Sequence, residues 1–257
     1  MNFAFSEEQV ELRKVAADFL TNKSAEADVR ALMETDEGYD PAVWSQMAEQ
    51  LGLQGLAIPE EYGGSGYSYV ELCVIFEEMG RRLLCAPFFS TVALAANALL
   101  HSGDDDAKAR YLPGIASGET IATVAFTEEN GRWDESGIEM EAAASDEGHT
   151  LTGTKSYVID GHIASLILVA ARTPEGVSLF AVDGDASGLG RTPLSTMDQT
   201  RKQAKLDFDN TPATLIGAAG SGWDTLRTML QLAVVALASE QMGGAQECLD
   251  SAVQYAK

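Results

Sequence analysis

The sequence predicts an α+β protein of several domains: an N-terminal helical bundle, a middle antiparallel β-barrel or sandwich, and the start of a C-terminal helical bundle. Two observations support this prediction. Apolar residues recur with helical spacing over roughly the first 115 residues and again after position 222. Between Glu119 and about Phe208 the period is two, as in strands. We therefore expect domains over residues 1–118 and 119–216, and the first helix of a third domain over 217–257.

Helix-start signals mark the N-terminal part. Ser6 and Gln9 have the spacing of a capping box, and Asp40 followed by Pro41 is typical of an N-cap and first turn, with Gly52 as the stop. The other predicted helices are Tyr69–Leu83, Phe88–Leu100 and Asp105–Leu112, the last closed by Pro113-Gly114. The second of these is apolar on most sides, so we place it in the middle of the bundle.

Six short alternating segments predict the strands of the middle domain. They are Thr120–Phe126, Ile138–Ala144, Thr150–Ile159, Leu166–Ala171, Val177–Val182 and Gln203–Phe208. The turn residues between them are Asp146-Glu147-Gly148, Asp160-Gly161, Pro174-Glu175-Gly176 and Asp183-Gly184. Short strands joined by hairpin-length turns favour a small antiparallel barrel or sandwich.

A glycine-rich hinge at 217–222 leads into one long helical pattern over residues 223–257. Neither Gly, Asn nor Pro ends that pattern, so we expect a C-terminus that is truncated or only partly resolved.

Composition excludes several classes of function. Thirty-nine acidic residues against 17 basic ones give a net charge of −22, which disfavours nucleic acid and anionic membranes as partners. Three cysteines without a CxxC pair and only three histidines predict a reducing compartment and no metal site. The N-terminus lacks the features of a signal peptide, and the longest apolar stretch, Val92–Leu100, is far shorter than the roughly 20 residues of a membrane span. We expect a cytoplasmic protein without a membrane span.

Five motifs stand in order along nearly the whole chain. They are Leu51–Gly64, Tyr111–Glu119, Thr127-Glu128, Lys155–Gly161 and Ala238–Gln246. Each motif is weak alone, but together they resemble the acyl-CoA dehydrogenase family. The resemblance implies FAD as the cofactor, α,β-dehydrogenation of an acyl-CoA substrate, and transfer of the electrons to an electron-transfer flavoprotein.

The resemblance also implies which residues bind the cofactor. Phe126 and Thr127 lie at the family's Thr-Glu-Pro flavin loop, and Tyr157, Val158 and Ile159 lie on its Lys-x-Trp-Ile-Thr/Ser-Asn-Gly flavin strand. We expect both segments to face one isoalloxazine ring, and therefore to lie within about 10 Å of each other.

The chain departs from the family pattern beside these segments. Trp133 replaces a small serine that the family places beside the acyl-CoA, and Tyr157 replaces a tryptophan near the flavin. Ile159 replaces a hydroxyl-bearing residue, so we expect backbone amides of that strand to supply the missing donor.

The sequence leaves the catalytic residues unknown. The base glutamate and following arginine of one subgroup align with Ala233 and Val234, and another subgroup keeps its base in sequence that this chain lacks. Glu240, two turns further on, is either a base or the partner of a buried arginine, and a rise of roughly 10 Å disfavours the base. His162 is predicted to be a solvated turn residue. Arg201-Lys202 is either a solvated strand end or a contact for a CoA or FAD phosphate.

Three functions fit these observations. The first is an acyl-CoA dehydrogenase subunit that assembles with itself or with a related chain. Departures at 124–133 and 157–160 resemble a divergent actinobacterial branch, several of whose members serve steroid side-chain breakdown and pair a base-bearing subunit with one that lacks the base. The second is a non-catalytic subunit that completes a partner's flavin site, and the third is a flavin-dependent oxidase or monooxygenase on the same scaffold.

Overall fold

The structure, a computed structural model, describes residues 4–145 and 148–257, so the predicted turn at Asp146-Glu147 lies outside the described residues. Its helices are α1 (Glu7–Lys23), α2 (Glu26–Met33), α3 (Pro41–Glu49), α4 (Tyr69–Arg82), a π-helix (Phe89–Ala96), α5 (Asn97–Leu100), α6 (Asp105–Ala116) and α7 (Gly222–Tyr255). Its strands are β1 (Ala122–Ala125), β2 (Glu141–Ser145), β3 (Gly148–Ile159), β4 (Leu166–Thr173), β5 (Gly176–Asp183), β6 (Leu189–Leu194) and β7 (Gln203–Ile216).

Local capping determines where the first helices begin. The Ser6 hydroxyl accepts from the Gln9 amide at 3.2 Å, while the Gln9 side chain accepts from the Ser6 amide at 2.9 Å, which confirms the capping box. Asp40 caps α3 by accepting from the Ala42 amide at 2.7 Å. The predicted end of α6 at Leu112 is wrong. The helix continues through Pro113 because two residues beyond it, Ile115 and Ala116, are buried in the core.

The predicted central helix over Phe88–Leu100 is divided. Residues 89–96 form a π-helix, with the single α-helical turn of α5 behind it. All eight π-helical residues are buried, including the polar Ser90 and Thr91. Phe76 of α4 packs edge-on against Phe88 and Phe89, with ring centroids 5.3 and 6.0 Å apart. The π-helix therefore runs through the core rather than along the surface.

The strands close into a barrel. β4, β2, β3, β7 and β5 pair in this order, and β5 pairs back with β4. Most pairs are antiparallel, as predicted, but β4 pairs in parallel with both β1 and β2. β7 runs on to Ile216, eight residues past its predicted end. β6, which was not predicted from the sequence, covers part of β7, and its residues are exposed or only partly buried.

Helix α7 returns to the N-terminal helices and packs on α4 through glycines. A Cβ added at Gly243 would lie 1.7 Å from the backbone oxygen of Glu77, and one added at Gly80 would lie 1.9 Å from that of Glu240. The two backbones are therefore in direct contact. Arg81 of α4 strengthens the contact by an ion pair of 2.8 Å to Asp250. No helix within the described ranges is long and apolar enough to cross a membrane.

Candidate functional site

A cavity of about 530 Å³ lies between the barrel, the π-helix and α7, within the usual size range of ligand sites. The residues lining it are Phe89, Leu94, Val124, Phe126, Thr127, Gly131, Trp133, Ser156, Tyr157, Val158, Ile159, Asp198, Arg201, Gln203, Leu230, Ala233, Val234 and Leu237. All five residues predicted to bind the cofactor are among them. The wall is mostly apolar, with polar groups at a few places.

The π-helix contributes two side chains to this wall. Phe89 and Leu94 are five residues apart, and a π-helix bonds residue i to residue i+5. Five residues of an α-helix would turn through about 500°, which places the two side chains on different faces. The wider turn therefore brings both toward the cavity.

The end of β3 presents four consecutive residues, Ser156 to Ile159, to the same cavity. Side chains of a regular strand alternate between its faces, so this arrangement needs a break in the strand. The pairing with β7 slips between Lys155 and Val158, and Tyr157 has a left-handed φ of 57°. A bulky aromatic residue rarely adopts that conformation. It leaves the Tyr157 side chain 59% exposed at the cavity opening.

The two predicted cofactor segments touch each other. The Ser156 amide donates to the Thr127 carbonyl oxygen at 2.9 Å, well inside the expected separation. Thr127 is buried, and no hydrogen bond among the described residues uses its hydroxyl. The structure thus brings one unpaired hydroxyl and a bulged strand to the same cavity.

A buried ion pair holds the loop that follows Thr127. Lys155 is fully buried, and its ammonium lies 2.6 Å from the Glu128 carboxylate. That carboxylate also accepts from the amides of Glu139 and Met140 at 3.1 and 3.0 Å. Burial lowers the pKa of Lys155, and Glu128 acts in the opposite direction. Both residues stand in the sequence motifs, but no local signal pairs two residues 27 positions apart.

Trp133 lies at the opening of the cavity, on the loop that this ion pair anchors. Its ring meets Phe126 edge-on at a centroid distance of 5.5 Å. Two thirds of the Trp133 side chain is exposed. The pair forms an aromatic rim beside the predicted cofactor segments.

Helix α7 forms the opposite wall with one face. Leu230, Ala233, Val234 and Leu237 line the cavity at helical spacing, so the position aligned with the family's base holds a methyl group. Within the described lining, only Asp198 and Arg201 carry charges. This wall therefore offers apolar contact and no carboxylate at Ala233.

Glu240 is the next residue along the same face of α7, and it pairs with Arg201. Both carboxylate oxygens accept from Nη2 of Arg201, at 2.6 and 2.7 Å. The guanidinium also lies over the Phe89 ring, 4.6 Å from its centroid. The sequence left two roles open for Glu240, a base or the partner of a buried arginine, and the structure shows it paired with an arginine. Arg201 is partly buried beside the cavity, so it is not a solvated strand end.

Asp160, directly after the bulged segment, is a buried acid that the sequence analysis did not single out. Its carboxylate accepts from the Ser90 hydroxyl at 2.6 Å, and its amide donates to the Lys202 carbonyl oxygen at 3.0 Å. Burial raises the pKa of Asp160 to about 6, against the opposing effects of Ser90 and Arg201. The aligned residue of the family motif is asparagine, which has no charge to bury.

His162 and Lys202 lie outside the cavity wall. His162 is in a turn, as predicted, but it is half-buried rather than solvated, with Nε2 3.3 Å from the Glu37 carbonyl oxygen. Burial lowers the pKa of this imidazole. Lys202 donates to the Met33 carbonyl oxygen at 2.6 Å, so its ammonium joins the barrel to α2.

Comparisons with known proteins agree with this architecture. Residues 6–119 match the family model described as acyl-CoA dehydrogenase, N-terminal domain, and residues 123–211 match the one described as acyl-CoA dehydrogenase, middle domain. The acyl-CoA dehydrogenase IpdE2 of Mycolicibacterium smegmatis is 31% identical over 252 residues, which cover 98% of this chain and 65% of that protein.

Two solved structures are similar over almost the whole chain. A variant of the Tcur3481–Tcur3483 steroid ACAD has a TM-score of 0.85 and 32% identity, covering 97% of this chain and 66% of that one. The ChsE4–ChsE5 complex from Mycobacterium tuberculosis has a TM-score of 0.86 and 25% identity, covering 99% and 68%. This chain spans about two thirds of the length of these relatives. The predicted resemblance is confirmed: the chain belongs to the acyl-CoA dehydrogenase family.

Proposed function

We propose that this chain is the FAD-binding part of an acyl-CoA dehydrogenase that oxidises the Cα–Cβ bond of an acyl-CoA thioester. The observation that carries the proposal is the meeting of both predicted cofactor segments, Phe126-Thr127 and Tyr157-Val158-Ile159, in one cavity. FAD, when bound, supplies the hydride acceptor for the β-carbon. An electron-transfer flavoprotein is the proposed acceptor of the electrons.

The residues present fit a flavin. Val124, Phe126 and Ile159 supply an apolar wall for a planar ring system, while the unpaired Thr127 hydroxyl faces the cavity as a hydrogen-bonding group. The bulge at Tyr157 turns four consecutive residues toward the same space. The Glu128–Lys155 ion pair fixes the loop that carries Thr127, so this wall is in place before a ligand arrives.

The α-proton of the substrate needs a base, and the described cavity wall offers none of suitable geometry. Ala233 holds the aligned position, Glu240 is committed to Arg201, and the exposed Asp198 accepts from the amide and hydroxyl of Thr200. We therefore propose that the base comes from a longer form of the chain or from a related subunit.

The alanine at position 233 favours a second candidate function, a non-catalytic subunit that completes the flavin site of a base-bearing partner. The similar ChsE4–ChsE5 structure is, by its name, a complex of two proteins. Steroid-derived thioesters are the proposed substrate class in either case, because the Tcur3481–Tcur3483 relative is named a steroid ACAD.

The experiment loads the purified chain with FAD and follows anaerobic bleaching of the flavin absorbance by a panel of acyl-CoA thioesters. We expect flavin binding without bleaching in the wild-type chain. Ala233→Glu places a carboxylate in the cavity and is expected to accelerate bleaching by roughly 10²- to 10⁴-fold. Val235→Glu is the matched control, because Val235 lies on the same helix but outside the cavity wall.

Three results decide between the candidates. A chain that does not retain FAD refutes the proposal. Bleaching by the wild-type chain that disappears in Glu240→Gln would make Glu240 the base. Bleaching only after a base-bearing related subunit is added, unchanged by Glu240→Gln, selects the non-catalytic subunit.

A further inference from the structure

We propose that Arg201 is a specificity residue that binds a neutral oxygen, a ketone or a hydroxyl, on the acyl part of the ligand. The cavity would then select apolar acyl thioesters that carry such an oxygen far from the thioester. This inference rests on the proposed function and names the substrate class of the same site.

Arg201 contrasts with its surroundings. The cavity is walled by apolar side chains of the π-helix, the barrel and α7, and Arg201 is the one cation in the described lining. A charged group kept beside an apolar cavity is costly unless it is paired and hydrogen-bonded. Arg201 meets that condition through Glu240 and Phe89.

Part of the Arg201 guanidinium has no hydrogen-bond partner within the described residues. Both hydrogen bonds to Glu240 use Nη2, and within the described residues no hydrogen bond uses Nη1 or Nε of Arg201. A guanidinium carries five N–H donors in a rigid fork. The Phe89 ring and the Glu240 carboxylate hold that fork in one orientation, so a ligand oxygen meets donors that are already positioned.

The charges around Arg201 disfavour an anionic ligand. The positive charge of Arg201 is already offset by Glu240, and Asp198 lines the same cavity. A carboxylate on the ligand would be repelled by both acids. A ketone accepts from Arg201 without that repulsion, and a hydroxyl also has a proton to donate to Glu240. The site therefore favours a neutral oxygen over an anionic one.

Position along α7 places this contact at one end of the cavity. Glu240 follows Ala233 by seven residues, which is a rise of about 10 Å. Leu237 lies between them and also lines the cavity. An acyl group extending from Ala233 along the helix would pass apolar side chains before its oxygen meets Arg201.

The test uses the FAD-loaded chain and three CoA thioesters with one decalin skeleton: the hydrocarbon, its ring ketone, and its ring carboxylate. Dissociation constants are measured by fluorescence titration. We expect the wild-type chain to bind the ketone on the order of ten-fold more tightly than the hydrocarbon, as for a hydrogen bond to a charged group, and to bind the carboxylate most weakly. Arg201→Met should bring the ketone-to-hydrocarbon ratio close to one.

Two further variants keep the test independent of folding. Glu240→Gln retains Arg201 and should keep the preference for the ketone while improving carboxylate binding. Lys205→Met removes a cation that lies outside the cavity wall and pairs with Asp207, and it should change none of the ratios. Thermal melts establish that each variant is folded.

The outcomes separate this inference from the proposed function. A FAD-loaded chain that binds ketone and hydrocarbon equally, or whose preference survives Arg201→Met, overturns the role of Arg201 and leaves the proposed function standing. A wild-type preference for the carboxylate also overturns it, because the site would then bind anions rather than neutral oxygens. A chain that neither retains FAD nor binds any thioester overturns both.

Discussion

Replacing Asp160 by asparagine should remove a pH-dependent loss of stability. The Asp160 carboxylate is buried between the π-helix and the β3–β4 turn, where the Ser90 hydroxyl is its hydrogen-bond donor. Asparagine keeps an acceptor for Ser90. It also tolerates the left-handed φ of 53° at this position about as well as aspartate does. The substitution therefore removes the charge with little change of shape.

The magnitude follows from the pKa. Burial raises the pKa of Asp160 from 3.8 to about 6, and a difference of about two in pKa corresponds to about 3 kcal/mol. Because the folded-state pKa is the higher one, the native protein binds more protons than the unfolded chain between pH 4 and 6. Stability therefore falls as the pH rises through this window and levels off above it. About 3 kcal/mol near pH 7.5 is the upper bound of the gain, because the new amide N–H groups also need partners.

Urea unfolding of wild type and Asp160→Asn at pH 5.5, 6.5 and 7.5 measures the effect. We expect the variant's advantage to grow by about 1 kcal/mol from pH 5.5 to 7.5, whatever the constant offset from the amide. The three histidines are common to both proteins and cancel in the difference. A difference in unfolding free energy between the two proteins that does not depend on pH would refute the reasoning. Burial of the Asp160 charge would then not destabilise the folded protein.

Three further predictions test the packing and the site. Gly243→Ala should destabilise the protein by about 3 kcal/mol, because its Cβ would overlap a backbone oxygen of α4. Gly244→Ala, whose added Cβ has its nearest neighbour at 3.6 Å, should be neutral or stabilise the protein by up to about 1 kcal/mol. Similar thermal melts for both variants would disprove the close crossing of α4 and α7. Lys155→Met should lower the free energy of unfolding in urea by about 3 to 5 kcal/mol, because it leaves the Glu128 carboxylate buried and unpaired. Adding Glu128→Gln should recover most of this loss. Additive effects of the two substitutions on stability would contradict a coupled pair. Thr127→Val should weaken FAD binding about five- to ten-fold, because the Thr127 hydroxyl can no longer bond to the cofactor. The melting temperature of the FAD-free chain should not change. An unaltered dissociation constant for FAD would show that the hydroxyl does not contact the cofactor.

Features determined by local sequence could be predicted, and those determined by distant contacts could not. The capping box at Ser6 needs only a neighbour three residues away, so the start of α1 was readable. A mostly apolar segment of this kind fits a π-helix and an ordinary α-helix equally well, so the sequence gives no sign of the wider turn. β6 was missed because it contains Pro193 and because none of its residues is fully buried, so it lacks an apolar alternation.

At the candidate site, too, the local motifs were predicted and the contacts between distant residues were not. The family motifs located both cofactor segments, and the structure brings them to one cavity, but their contact with FAD stays a prediction, as do the domain limits at 118/119 and 216/217. The alternation of a regular strand predicts that the side chains of residues 156–159 point in turn to opposite faces of the sheet. The bulge that turns all four toward the cavity could therefore not be predicted. The pairs Glu128–Lys155 and Ser90–Asp160 join residues 27 and 70 positions apart, and only the folded chain brings them together.

The packing of α7 against α4 has a consequence for the order in which the chain folds. The barrel is an insertion: the chain leaves the helical body after Ala116 and returns at Gly217, whose amide bonds to Asp104 at 2.9 Å. Until the barrel has closed and brought these two ends together, α4 has no α7 to cover its apolar face. During synthesis from the N-terminus, that face stays open while the whole barrel is made. We therefore expect the N-terminal helices, although they are synthesised first, to complete their packing last.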